Sequence, residues 1–163
     1  SALMVLNYYD KLGNHTEESL AQLRTNGLSP EATSLESMIK IFEGVGGMDI
    51  HSTYDYTQEE ASEKINLDMI RQYLEKGVPV MVAWNDWGGH WQTIIGYDDM
   101  NTEITQDDVI IVADSYDTTD HNQDGYGIIP AERFYYNWTM YDFFEKNYQI
   151  DERDHLFIAV EPK

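Results

Sequence analysis

The chain has 163 residues, 42% of them hydrophobic and 13% aromatic, which is the composition of a folded domain with one core and not of a disordered segment. Thirty acidic residues against ten basic ones give a formal charge of −20, which repels nucleic acid and anionic membranes and favours a cationic partner, a bound metal or plain solubility in a salty habitat. With no cysteine there is no disulfide. No apolar run approaches the ~20 residues of a membrane span.

Ser1-Ala-Leu-Met-Val-Leu-Asn-Tyr-Tyr9 reads as the middle of an apolar helix, with no cap or turn before it. A chain that starts inside a core element is expected to be a fragment, a processed product or a trimmed piece. A signal peptide or nucleophile upstream of Ser1 would then lie outside it. Asn14 or Thr16 caps a helix through Leu23, with Glu17 and Glu18 in its first turn and Gly27 past its end. Ser29-Pro30-Glu31 signals a second start, with Pro at the first helical position, and Leu35, Met38, Ile39 and Phe42 recur at helical spacing until Gly44 to Gly47. Residues 48–64 are polar and weakly periodic, which predicts a loop or a short surface segment. A third helix over Asn66 to Lys76 places Leu67, Ile70, Tyr73 and Leu74 on one side and stops at Gly77.

From Val78 the period changes. Val78 to Trp84 is a continuous, β-branched-rich run, hence a buried strand with Pro79 at its start or on an edge. His90 to Tyr97 and Val109 to Asp114 are the next strands, around an acidic loop from Asp98 to Asp108. Pro130 opens a helix near 130–144, and Leu156 to Val160 closes the pattern as a strand. Helices first and a mostly antiparallel sheet afterwards predict an α+β fold, with residues 1–163 as one domain.

A hairpin that turns near residue 102 sets His90 opposite Asp114, since opposed residues then have numbers summing to about 204. Opposed residues share a face, so the Asp114 carboxylate accepts a hydrogen bond from Nδ1 of the imidazole and fixes its tautomer. A slip of one residue would part them. The bland alternative is a half-buried histidine that packs beside Trp91. Gly88 and Gly89 permit close approach of a substrate, and Trp84, Trp87 and Trp91 are placed to wall a groove. His15, His51, His121 and His155 lack ligand spacing, which argues against zinc.

The whole chain resembles the papain-like cysteine peptidases, in the stand-alone branch related to the leader peptidases of bacteriocin exporters. Ser1 to Tyr9 is similar to the helix after the nucleophile in the pattern Cys-Gly-Pro-Ala-(Ser/Ala)-x-x-Met-x-Leu-x-Tyr-Tyr-Gly. Leu67 to Val82 resembles the family's next helix and strand. Gly89-His90-Trp91 with Gly96-Tyr97-Asp98 is similar to the block that holds the catalytic histidine, and Val112-Ala113-Asp114-Ser115-Tyr116 to the strand whose Asp orients it. Ser115 replaces the family's Pro. The resemblance implies a papain-like fold with a helical N-terminal lobe packed on an antiparallel sheet. It also implies His90 as base, Asp114 as orienter, and a substrate groove along Trp87, Gly89 and Trp91.

The same resemblance puts the nucleophilic Cys four residues before Ser1 and the oxyanion-stabilising Gln further upstream, so the chain as written is expected not to hydrolyse peptides. Ser1 falls a turn inside the helix and is a poor substitute. The implied activity of the intact protein is thiol hydrolysis of a peptide or amide bond, on a peptide or protein partner that the acidic surface suits to be basic. The alternatives are a non-catalytic peptide-binding member of the fold and a thiol acyltransferase or amidase. Stand-alone relatives imply export to the outside or surface of a bacterial cell.

Asp120-x-Asn122-x-Asp124-Gly125 has the alternating oxygens and turn glycine of half a calcium loop. The acid that would close it is displaced, because residue 131 is Ala and Glu132 comes one late. A solvated Asx-rich turn is the plain alternative. The thiol chemistry itself requires no cofactor.

Overall fold

The computed structural model describes residues 1–86, 88–117, 121–139 and 154–163. Helices α1 (Ala2–Tyr8), α2 (Glu17–Ala21) and α3 (Leu35–Val45) come first, then strand β1 (Met48–Ser52) and a 3₁₀ turn at Thr53–Asp55. Helices α4 (Gln58–Lys64) and α5 (Leu67–Glu75) lead into β2 (Val80–Trp84), β3 (His90–Asp98), β4 (Val109–Ala113) and β5 (Tyr126–Pro130). Helix α6 (Ala131–Tyr136) and β6 (Leu156–Pro162) complete the order.

Four helix starts share one local device. Thr16, Ser34, Thr57 and Asn66 each accept the backbone N–H of the third residue on, satisfying a donor that the first turn leaves open. The start expected at Pro30 is displaced to Ser34. Residues 29–33 stay non-helical because Arg24 donates to the carbonyls of Gly27, Ser29 and Glu31, oxygens that a helix would need for itself. The loop expected over 48–64 is also corrected, to β1 and α4. A strand forms there because β1 pairs along β6, Met48 opposite Pro162 through Ser52 opposite Ile158. Such pairing is invisible to local periodicity.

The sheet order is β1-β6-β2-β3-β4-β5, and every neighbouring pair is antiparallel. One face carries Met81, Ala83, Leu156, Ile158 and Val160 against α1 to α3 through Val5, Leu6, Leu20 and Phe42. The opposite face carries Val82, Trp84, Ile94, Val112 and Phe157 against α4 to α6 through Ala61, Ile70 and Phe134. The fold is therefore α+β, with the N-terminal helices packed on an antiparallel sheet as the resemblance implies. The run Val80 to Trp84 is apolar throughout because both of its faces are covered, and all five residues are buried.

The β3–β4 hairpin departs from the symmetric count. Near the turn, Gly96, Tyr97 and Asp98 oppose Ile111, Ile110 and Val109, numbers that sum to 207. Past a bulge at Ile95 the sum falls to 206, with Ile94 opposite Val112 and Thr93 opposite Ala113. A bulge sets two residues of one strand against one of the other and exchanges the faces beyond it.

Candidate active site

That bulge decides which side chains meet. Continued one step, the register sets Asp114 opposite Gln92, on the face that also carries His90; without the bulge Asp114 would share the face of Thr93. His90 is thus diagonal to Asp114 and not directly opposed, as the symmetric count had it. Nε2 of His90 lies 2.6 Å from Oδ1 of Asp114. The ring is carried there by the start of β3, where His90 pairs with Trp84. The chain reaches that start through Gly88 and Gly89, whose φ of +81° and +115° are costly for any residue with a Cβ.

Asp114 is held from several sides. Oδ1 also accepts the N–H of Tyr116 at 2.9 Å, and Oδ2 accepts Nε2 of Gln92 at 2.7 Å. Burial pushes its pKa up, but the hydrogen bonds from Tyr116, His90 and Gln92 prevail and hold it below the ordinary carboxylate value. An ionised carboxylate only accepts, so Nε2 carries the hydrogen, and in the neutral ring Nδ1 has the lone pair. The nitrogen facing Asp114 is therefore Nε2, where Nδ1 was expected: the ring enters from the strand start, diagonally, and not from across the ladder. Asp86 stands nearby, its pKa raised by burial and by the Asp114 charge although His90 opposes this.

A pocket of about 290 Å³ opens at this point, lined by Ser1, Thr33, Gly89, His90, Trp91 and Ser115 among others. Its wall is built by the loop that Arg24 organises, since the indole N–H of Trp91 donates to the Thr33 carbonyl at 2.8 Å. Ser1 directly precedes Ala2 of α1, and its hydroxyl donates to the Trp91 carbonyl at 2.8 Å. A cavity of about 470 Å³ adjoins through Ser1, Thr33 and Ser115 and adds Glu17 and Arg24. Gly89 and Trp91 thus line the pocket. Trp84 does not: it is 3% exposed, in the core against Phe134. Trp87 lies outside the described residues.

Gln92 and Asp86 were not singled out from the sequence. The available signal was spacing, because a residue two after His90 in a strand shares its face. Of the calcium-loop residues, Asp120 lies outside the described residues, and Asn122 and Asp124 are exposed. Oδ1 of Asp124 accepts the N–H of Tyr126, and Oδ2 of Asp117 accepts that of Gly125. Among the described residues no group of three His, Cys, Asp or Glu side chains is placed to hold a metal, and no helix is long and apolar enough to cross a membrane.

Comparison with curated proteins and with solved structures returned no match. The sequence profile of the Peptidase_C39 like family matches residues 1–145. The match runs from α1 through α6 and takes in the strand pair that joins His90 to Asp114, and on its strength the chain belongs to the Peptidase_C39 like family, whose members are cysteine peptidase-like.

Proposed function

We propose that the intact protein hydrolyses peptide or related amide bonds through a thiol, with Nδ1 of His90 as general base, Asp114 as its orienter and a cysteine preceding Ser1 as nucleophile. The observation that carries this reading is the 2.6 Å contact of Nε2 with Asp114 beside an open pocket. Among the described residues no group bonds Nδ1, so it is available to accept a proton. Ser1 lines the same pocket as His90, so a segment preceding it would enter the site there.

In this mechanism Nδ1 takes the thiol proton and the thiolate attacks the acyl carbon, opening the C=O bond to an oxyanion. Collapse breaks the C–N bond as the imidazolium passes its proton to the leaving amine. Water, deprotonated by Nδ1, then hydrolyses the thioester and restores the thiol. Asp114 stabilises the imidazolium at each stage. The net charge of −20 supports a basic peptide as substrate. A Ca²⁺ ion on Asp120, Asn122 and Asp124 belongs to the same reading, supported by their spacing; Oδ1 of Asp117, just before them, is buried and has no partner among the described residues.

The test is iodoacetamide alkylation of the protein carrying its native upstream residues. Rapid labelling of that cysteine at near-neutral pH, slowed ~10²-fold or more by His90→Ala, is the expected result. A different residue at that place, or a thiol indifferent to His90, overturns the enzyme and leaves a peptide-binding member of the fold.

A further inference from the structure

We propose that Gln92 is a positioning residue of this site: its carboxamide, held one way round by the indole N–H of Trp84, fixes Asp114 as an acceptor and through it the tautomer of His90. The proposal rests on the reading of His90 as the base, but its geometry stands independently.

Gln92 is fully buried, at 0% exposure, on a sheet face where Val80, Val82, Ile94, Ile110 and Val112 also lie. A primary amide on such a face is costly unless its hydrogen bonds are made. Here they are. Oε1 accepts Nε1 of Trp84 at 2.7 Å, and the two hydrogens of Nε2 go to Oδ2 of Asp114 at 2.7 Å and Oδ2 of Asp86 at 3.3 Å.

The orientation is forced by chemistry. An indole nitrogen only donates and carboxylates only accept. Turning the amide over would set N–H against N–H at Trp84 and oxygen against oxygen at both aspartates. Trp84 cannot yield, because its ring packs edge-on to Phe134 at 5.4 Å and Phe134 packs on Trp138 at 4.8 Å. A rigid aromatic core thus dictates the amide, the amide holds one oxygen of Asp114, and the Tyr116 N–H holds the other. Asp114 has no rotation left, so a positive imidazole finds its partner in place without rearrangement.

The test needs no nucleophile and uses the chain as it stands. NMR on protein labelled in Asp and His side chains would follow the Asp114 carboxyl carbon and the His90 ring nitrogens against pH. Among the described residues the groups facing this pair are Asp86, with Arg133 acting on it, the Ser1 amino group with Glu17 beyond it, and the Tyr116 ring, 6.3 Å from His90. Gln92→Met keeps the length and removes every amide bond. We expect the Asp114 titration to rise by about one unit and the single Nε2–H tautomer to give way to a mixture. Trp84→Phe removes the indole donor, and the fused ring with it, but leaves the amide and its aspartate partners, and should move both readouts the same way by less; it carries the test alone if the first variant does not fold.

A lower melting temperature with the Asp114 titration and the His90 tautomer unmoved would make Gln92 mere filling and overturn the proposal. A protein with no reactive thiol would sink the enzyme reading and leave this result standing.

Discussion

Asp108 and Asp114 bracket β4, one residue before it and one after, and both are buried, with 2% and 4% of their surface exposed. Asp114 meets three donors, one of them an imidazole that can carry charge. Asp108 meets one, the hydroxyl of Tyr97, while its other oxygen has no partner among the described residues. Its backbone carbonyl accepts the N–H of Ala131 and so anchors the start of α6. The Tyr97 ring lies under the guanidinium of Arg71, 5.0 Å from its centre, and burial together with Asp108 pushes the hydroxyl's pKa up. Burial alone does not separate the carboxylate proposed to orient His90 from one that serves only the fold. The donors arranged around it do.

The sharpest way to break this contrast is to neutralise each aspartate in turn. In the protein with its upstream residues, Asp114→Asn should slow thiol alkylation and peptide cleavage on the order of 10²-fold or more, because the amide no longer opposes the imidazolium charge. Asp108→Asn should leave both rates within about two-fold, since Tyr97 still finds an oxygen and no reacting group is near. Equal losses from the two would mean that the strand matters and the dyad does not.

Acid titration of stability sharpens it further. The folded pKa of Asp114 lies below its unfolded value, so its stabilisation is present above the ordinary carboxylate value and is lost as pH falls through the folded pKa. Asp86 has the opposite shift, so its ionised form is penalised in the fold at neutral pH and the penalty vanishes on acidification. Urea melts should therefore show Asp114→Asn destabilising most near pH 7 and Asp86→Asn stabilising there, with both differences shrinking below about pH 4. A pH-independent Asp114→Asn difference would contradict the assigned hydrogen bonds.

The smallest expected effect concerns the loop that follows β4. Millimolar Ca²⁺ added to metal-free protein should raise the melting temperature by a few degrees, and Asp124→Asn should abolish the rise. No shift in the unaltered chain would remove the metal.

The order of elements was legible because caps and periodicities are local. Thr16, Asn66, the helical spacing of Leu35 to Phe42 and the apolar run into Trp84 each announce themselves within a few residues. β1 and β5 were not, since an edge strand is defined by its partner: His51 and Ser52 become strand through Ala159 and Ile158. At the site, the nearness of His90 and Asp114 could be read from strand ends and loop length. The diagonal geometry, the nitrogen engaged and the part of Gln92 could not, because they depend on where the ladder absorbs one extra residue.

That extra residue at Ile95 makes the site a question of odd and even. Residues can be gained or lost in the loop between β3 and β4 without effect on the chemistry, because the count is reset where pairing begins. One residue added between Gly96 and His90 would set Asp114 opposite Thr93 and present Trp91 in place of His90. Single-residue insertions in this hairpin should therefore divide sharply by position, tolerated beyond Asp98 and fatal to the His90–Asp114 pair within β3, whatever the identity of the residue added.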